Sequence, residues 1–215
     1  MMIHWNTRNQ SFIKMHFNLK QKGITNNTYF LTLLDPELEF VDPYDPNLTR
    51  IQKARILNEI INNYWYFLRE VVRVQTPGGS KMYELNSAFL AFHYLSELNI
   101  NIYIETARQI GKTTAVLVRK LYTYNFIYFD EHAFMKYNDV IYASVIPAYN
   151  TAANISREQN NPFGIVITTT AGSRNRDYAE YSYQFKENAT KWDQSFYDLT
   201  PEQLYAEINK NTILS

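Results

Sequence analysis

The sequence predicts an α/β fold with a mostly parallel central sheet over 86–215, preceded by a helical N-terminal subdomain over 1–85. Three observations carry this expectation. Apolar runs that read as strands alternate with segments of helical period. A Gly111-Lys112-Thr113 triplet stands between one such strand and the next helix. A second apolar run, Phe126 to Phe129, ends in the paired carboxylates Asp130 and Glu131.

Taken in order, residues 1–50 look loosely organised, with Asp35-Pro36, Asp42-Pro43 and Asp45-Pro46 as turn or helix-start signals. Leu48 to Val74 reads as one helix, because Ile51, Ile56, Ile60, Trp65, Leu68 and Val71 recur at roughly helical spacing. Thr76-Pro77-Gly78-Gly79-Ser80 breaks it. Asn86 or Ser87 can cap a second helix, Ala88 to Leu98. Ile100 to Ile104 is a strand, Thr106 to Gly111 a loop and Thr113 to Tyr124 a helix. Phe126 to Phe129 is a short buried strand. Residues 138–146 form a helix that Pro147 is expected to stop. Phe163 to Ile167 is another buried strand, followed by the polar run 168–173. The tail from Glu180 is mostly helical, and Thr200-Pro201-Glu202 starts its last helix.

Composition excludes several classes. Formal net charge is zero, which argues against a uniformly basic nucleic-acid coat and leaves room for a local basic patch. There is no cysteine, so neither a disulfide framework nor a cysteine zinc site can form. No apolar run is long enough to span a membrane, and the N-terminus lacks a signal-peptide pattern. The 18 tyrosines and 13 phenylalanines accompany abundant Asn and Ile, which is better explained by AT-rich codons than by a stacking surface.

The segment Thr106 to Thr114 has the chemistry of a phosphate loop. Such a loop needs a strand, a tight turn with inward N–H groups and a helix N-terminus. Gly111 lets the backbone approach phosphate oxygens, Lys112 sets a cation on the β- and γ-phosphates, and the Thr113 hydroxyl can ligate Mg²⁺. Thr106 stands where the usual pattern has its first glycine. Arg108 inside the loop is either an arginine finger supplied in cis or a solvated loop arginine.

The acidic pair supplies the other half of the site. Asp130 would hold Mg²⁺ through its water shell, and Glu131 would orient and activate the attacking water. Thr168, Thr169 and Thr170 place hydroxyls at the carboxyl edge of a sheet, where open α/β sheets bind ligands. Thr169 or Thr170 could sense a γ-phosphate, or the run could be a threonine-rich strand end. Arg174 and Arg176 could contact DNA phosphate or a neighbouring subunit, although each also suits a solvated loop.

Together these residues resemble the ATPase domain of the large terminase subunit of tailed bacteriophages, over roughly residues 60 to 215. The resemblance rests on Ala107-Arg108-Gln109-Ile110-Gly111-Lys112-Thr113-Thr114, on 128–134, on Ile167 to Gly172 and on the upstream stretch Tyr66 to Arg73. It implies ATP and Mg²⁺ as ligands. Ala107, Gln109, Ile110, Gly111, Lys112, Thr113 and Thr114 would bind nucleotide, with Thr113 and Asp130 at the metal. Arg108 and Glu131 would be catalytic, and Thr168, Thr169 and Thr170 would couple hydrolysis to movement. It further implies translocation of double-stranded DNA into a procapsid in the host cytoplasm. The implied partners are a portal protein and a small terminase subunit, with the chain itself in a ring-shaped homo-oligomer. The glutamine of the family's adenine site has no counterpart between Tyr83 and Tyr103, where Asn86 is better read as a helix cap.

Two departures qualify the resemblance. No acidic cluster of the family's nuclease domain is present, so no nuclease activity is expected. Lys112 and Asp130 are 18 positions apart, enough for a helix and its turn. The family places further strands and helices there, so a segment is expected to be missing near 124–126. Two alternatives follow: a helicase-type motor, which the arginine in the loop disfavours, and a truncated nucleotide-binding assembly subunit without turnover.

Overall fold

The structure is a computed structural model that describes residues 1–76, 78–106, 111–122, 125–170 and 177–210. Ala107, Arg108, Gln109 and Ile110, Tyr124 at the expected seam, and Arg174 and Arg176 lie outside the described residues. The chain divides into two compact units, Met1–Ser87 and Ala88–Ser215.

The first unit is more ordered than its turn signals suggest. Strands β1 (Met2–Ile3) and β2 (Thr32–Leu33) pair antiparallel, with helix α1 (Gln10–Gln21) between them in sequence. Asn9 caps α1 by accepting from Ser11 N–H. Phe12, Leu19, Phe30, Leu31, Leu33 and Leu38 are fully or almost fully buried. The expected single helix from Leu48 to Val74 is instead several elements. Thr49 and Gln52 form a capping box for α2 (Arg50–Asn62). Asn63 then turns extended and caps α3 (Tyr64–Tyr66), which runs into a π-helical turn at Phe67–Val71. Val74 lies in β3 (Arg73–Thr76), which pairs antiparallel with β4 (Gly79–Met82). The helical spacing misled because Ile51 is exposed and Ile60 only partly buried, while the buried positions of α2 are Ile56 and the carboxylate Glu59. Glu59 accepts from Leu34 N–H, Asp35 N–H and Asn63 Nδ2, so it ties the α2 terminus to the β2 loop.

The second unit is α/β with a parallel sheet. Its described elements are α4 (Ser87–Glu97), β5 (Ile102–Thr106), α5 (Lys112–Tyr122), β6 (Asn125–Phe129), α6 (Asn138–Glu158), β7 (Phe163–Thr170), α7 (Asp177–Asn188) and α8 (Pro201–Asn209). The strand order is β5-β7-β6, and both pairings are parallel. β7 is therefore central, and seven of its eight residues are buried. The strand runs to Thr170, beyond the expected end at Ile167: Ile104, Glu105 and Thr106 pair with Thr168, Thr169 and Thr170. β-Branched threonines suit this buried ladder.

The crossovers set the layers. β5 to β6 skips one place, and β6 to β7 steps back. Crossovers that run in opposite directions along the sheet put their helices on opposite faces where both follow the usual right-handed rule. The packing agrees. Arg119 of α5 lies over the Phe126 ring, whereas Tyr149 and Ala153 of α6 cluster with Phe129, Ile165 and Ile167. Phe126 and Phe129 are three positions apart on one strand, so they point to opposite faces. Gly164, paired with Phe126, is pressed by that ring: a Cβ there would lie 2.7 Å from Phe126 Cε1.

α6 continues through Pro147 to Glu158, against the expected stop. Pro147 costs α6 the hydrogen bond to the carbonyl of Ala143, which is itself an exposed residue, while Tyr149 and Ala153 anchor the distal half. The final helix starts as expected, with Thr200 and Gln203 forming a capping box and Pro201 in the first turn. Among the described residues no helix is long and apolar enough to cross a membrane.

Candidate functional site

The carboxyl ends of β6 and β7 and the N-terminus of α5 meet at one edge of the sheet. Gly111 directly precedes α5 with φ +88°, a conformation that favours glycine, and a Cβ there would sit 3.2 Å from Phe89 Cζ. Lys112 and Thr113 are thus the first residues of α5, in the turn whose N–H groups lack intrahelical partners. Deeper along α5, buried Arg119 donates to Ser96 O at 3.0 Å and pairs with Glu97, which secures the helix against α4.

Lys112 is 7% exposed. Its Nζ donates to Glu131 Oε1 at 2.6 Å and to Thr170 Oγ1 at 3.1 Å. Glu131 also accepts from Thr170 N–H at 2.9 Å on Oε2 and from Thr170 Oγ1 at 2.8 Å on Oε1. Partial burial works against its ionisation, but the hydrogen bonds from Lys112 and Thr170 outweigh it and hold the carboxyl below its ordinary pKa. Glu131 itself is left-handed, with φ 49° and ψ 43°. Non-glycine residues seldom adopt this conformation, and such outliers concentrate at functional sites.

Asp130 is held separately. Oδ1 accepts from Thr168 Oγ1 at 2.7 Å and Glu131 N–H at 3.0 Å, and Oδ2 accepts from Thr113 Oγ1 at 3.1 Å. The Tyr128 hydroxyl lies 3.0 Å from Thr168 Oγ1 and 3.5 Å from Thr113 Oγ1. Burial again raises the Asp130 pKa, and the hydroxyls of Thr168, Tyr128 and Thr113 with Glu131 N–H bring it net below the usual carboxylate range. Both acids are therefore anionic at neutral pH.

The three threonines divide by the period of the strand. Thr168 and Thr170 share the face of Lys112 and Asp130. Thr169 points to the other face, where its Oγ1 accepts from Ala133 N–H at 3.2 Å and steadies the turn after Glu131. Thr114 lies half-buried in the first turn of α5. Sequence reasoning missed Tyr128, whose signal was its place two residues before Asp130 on the same strand face. It also missed His132, which is fully buried among Phe129, Tyr181 and Phe185, with neither ring nitrogen hydrogen-bonded.

The oxygen donors suit a hard cation. Mg²⁺ keeps several waters and takes one or two protein oxygens beside phosphate oxygens. Thr113 Oγ1 and Asp130 Oδ2, adjacent and on one edge, match that donor set. Among the described residues no group of three or more His, Asp or Glu is placed to form a protein-only metal cage. A comparison with protein-family models, curated proteins and solved structures returns no significant match.

Proposed function

We propose that this chain is the ATP-hydrolysing engine of a double-stranded DNA packaging motor, similar to the ATPase domain of large terminase subunits. The observation that supports this most is the convergence of Lys112, Thr113, Asp130, Glu131, Thr168 and Thr170 on one sheet edge, at a helix N-terminus. An ammonium, a hydroxyl and two separately held carboxylates are what phosphoryl transfer to water requires.

In this reading Lys112 Nζ sits against the β- and γ-phosphate oxygens. Thr113 and Asp130 would hold Mg²⁺, which would supply neutralisation of developing phosphate charge. Glu131 accepts a hydrogen bond from the attacking water and takes its proton, with Thr170 N–H fixing the carboxylate. Thr170 also touches Lys112, so it links the phosphate end of the site to the central strand. The arginine role of Arg108, the nucleotide contacts of 107–110, DNA translocation, the portal and small-subunit partners, the ring assembly and the host cytoplasm all come from the sequence resemblance.

The test is Mg²⁺-dependent ATP turnover, with and without double-stranded DNA. Lys112→Ala is expected to abolish nucleotide-dependent activity. Glu131→Gln is expected to retain ATP binding and lose about 10²–10⁴-fold in turnover, the usual contribution of a general base. Wild-type turnover by Glu131→Gln would remove it as the base. Wild-type protein that binds ATP without hydrolysing it would favour a non-catalytic assembly subunit.

A further inference from the structure

We propose that Tyr128 is a positioning residue for the metal-binding pair, acting through Thr168 and Asp130. This inference rests on the nucleotide reading above. Four side chains close a ring: Asp130 Oδ2 to Thr113 Oγ1, Thr113 Oγ1 to the Tyr128 hydroxyl, the Tyr128 hydroxyl to Thr168 Oγ1, and Thr168 Oγ1 to Asp130 Oδ1.

Proton counting assigns the direction of each bond. An ionised carboxylate only accepts, so both threonine hydroxyls must donate to Asp130. Each threonine then has no proton left for another partner and can only accept further. The Tyr128 hydroxyl therefore donates; Thr168 Oγ1 at 3.0 Å is a better acceptor than Thr113 at 3.5 Å, and the Asp130 carboxylate beside them also feels this hydroxyl, which helps hold it anionic. This bond occupies a Thr168 lone pair and holds the Thr168 proton on Asp130 Oδ1. Glu131 N–H supports the same oxygen, which leaves Oδ2 facing Thr113 as the metal-side oxygen.

The backbone explains why a tyrosine reaches. Tyr128 and Val166 are register partners on β6 and β7, so its ring runs along the shared face toward Thr168, two residues on. Phenylalanine would fill the same space and pack the same way but could not orient the threonine. Residues that orient ligands in this manner typically change metal affinity by about 10–100-fold.

The test compares wild type with Tyr128→Phe. Mn²⁺ binding in the presence of a non-hydrolysable ATP analogue is followed by electron paramagnetic resonance, and the Mg²⁺ dependence of ATP turnover is measured in parallel. We expect Tyr128→Phe to weaken Mn²⁺ binding roughly 10-fold. Turnover should recover at high Mg²⁺, and the thermal midpoint should match wild type. A Thr168→Val variant should be at least as weak, and adding Tyr128→Phe to it should cost little more, because both act on one bond. Equal Mn²⁺ affinity in wild type and Tyr128→Phe, or fully additive losses in the pair, would overturn the inference alone. Wild-type protein that binds no Mn²⁺-nucleotide would remove the nucleotide reading and this inference with it.

Discussion

His132 offers the most direct check on the architecture behind Glu131. The imidazole is fully buried, its two nitrogens have no hydrogen-bond partner, and burial lowers its pKa from 6.5 to about 4. The folded-state value lies below the unfolded one, so protonation favours the unfolded chain. The stability is intact above about pH 6.5 and is lost as pH falls toward 4. At roughly 1.36 kcal/mol per pKa unit, this one residue removes about 2.5 kcal/mol between about pH 7.5 and about pH 4.5. His132→Leu should abolish that loss. Near pH 7.5 the variant should lie within about 1 kcal/mol of wild type. Relief of the orphaned nitrogens, about 1–3 kcal/mol, opposes loss of ring-edge contacts worth about 0.5–1.5 kcal/mol each. The assay is urea unfolding at several pH values, read by hydrogen–deuterium exchange of peptides from β6 and β7. His4 and His93, whose pKa values burial also lowers, are present in both proteins, so the difference between the two pH curves isolates His132. Parallel curves, within about 0.5 kcal/mol across this range, would refute the reasoning.

Two further substitutions test the packing. Gly164→Ala puts a methyl 2.7 Å from Phe126 Cε1 on the neighbouring strand, and should cost about 1–3 kcal/mol as overpacking in thermal or urea unfolding. No loss would mean that the Phe126 ring moves freely. Glu59→Ala strips acceptors from Leu34 N–H, Asp35 N–H and Asn63 Nδ2. It should destabilise the first unit by about 2–3 kcal/mol, measured by tryptophan fluorescence in urea. A loss under about 0.5 kcal/mol would show that water replaces the carboxylate.

Much of the site was legible because local chemistry carries it. Gly111 before Lys112 and Thr113 marks a strand-to-helix turn, and Asp130-Glu131 after an apolar run marks the end of a strand. Both signals are short-range and survive without knowledge of the partner elements. The capped helix at Pro201 was legible for the same reason. Where the reading went wrong, long-range contacts decided. Asn63 breaks the expected long helix because its amide meets Thr32 O and Glu59. Pro147 fails to end α6 because the break in the ladder falls between Ala143 and Pro147, both exposed, and Tyr149 packs beyond it.

The sequence by itself determined the alternation of strands and helices and the residue types available for phosphate and metal chemistry. Only the tertiary structure decided that β7 lies between β5 and β6. That order brings Thr168 to Asp130 and Thr170 to Lys112 and Glu131, and the strand's two-residue period sends Thr169 to the opposite face. Strand order is a matter of pairing between residues as much as 64 positions apart, such as Ile102 with Val166, and no local propensity encodes it.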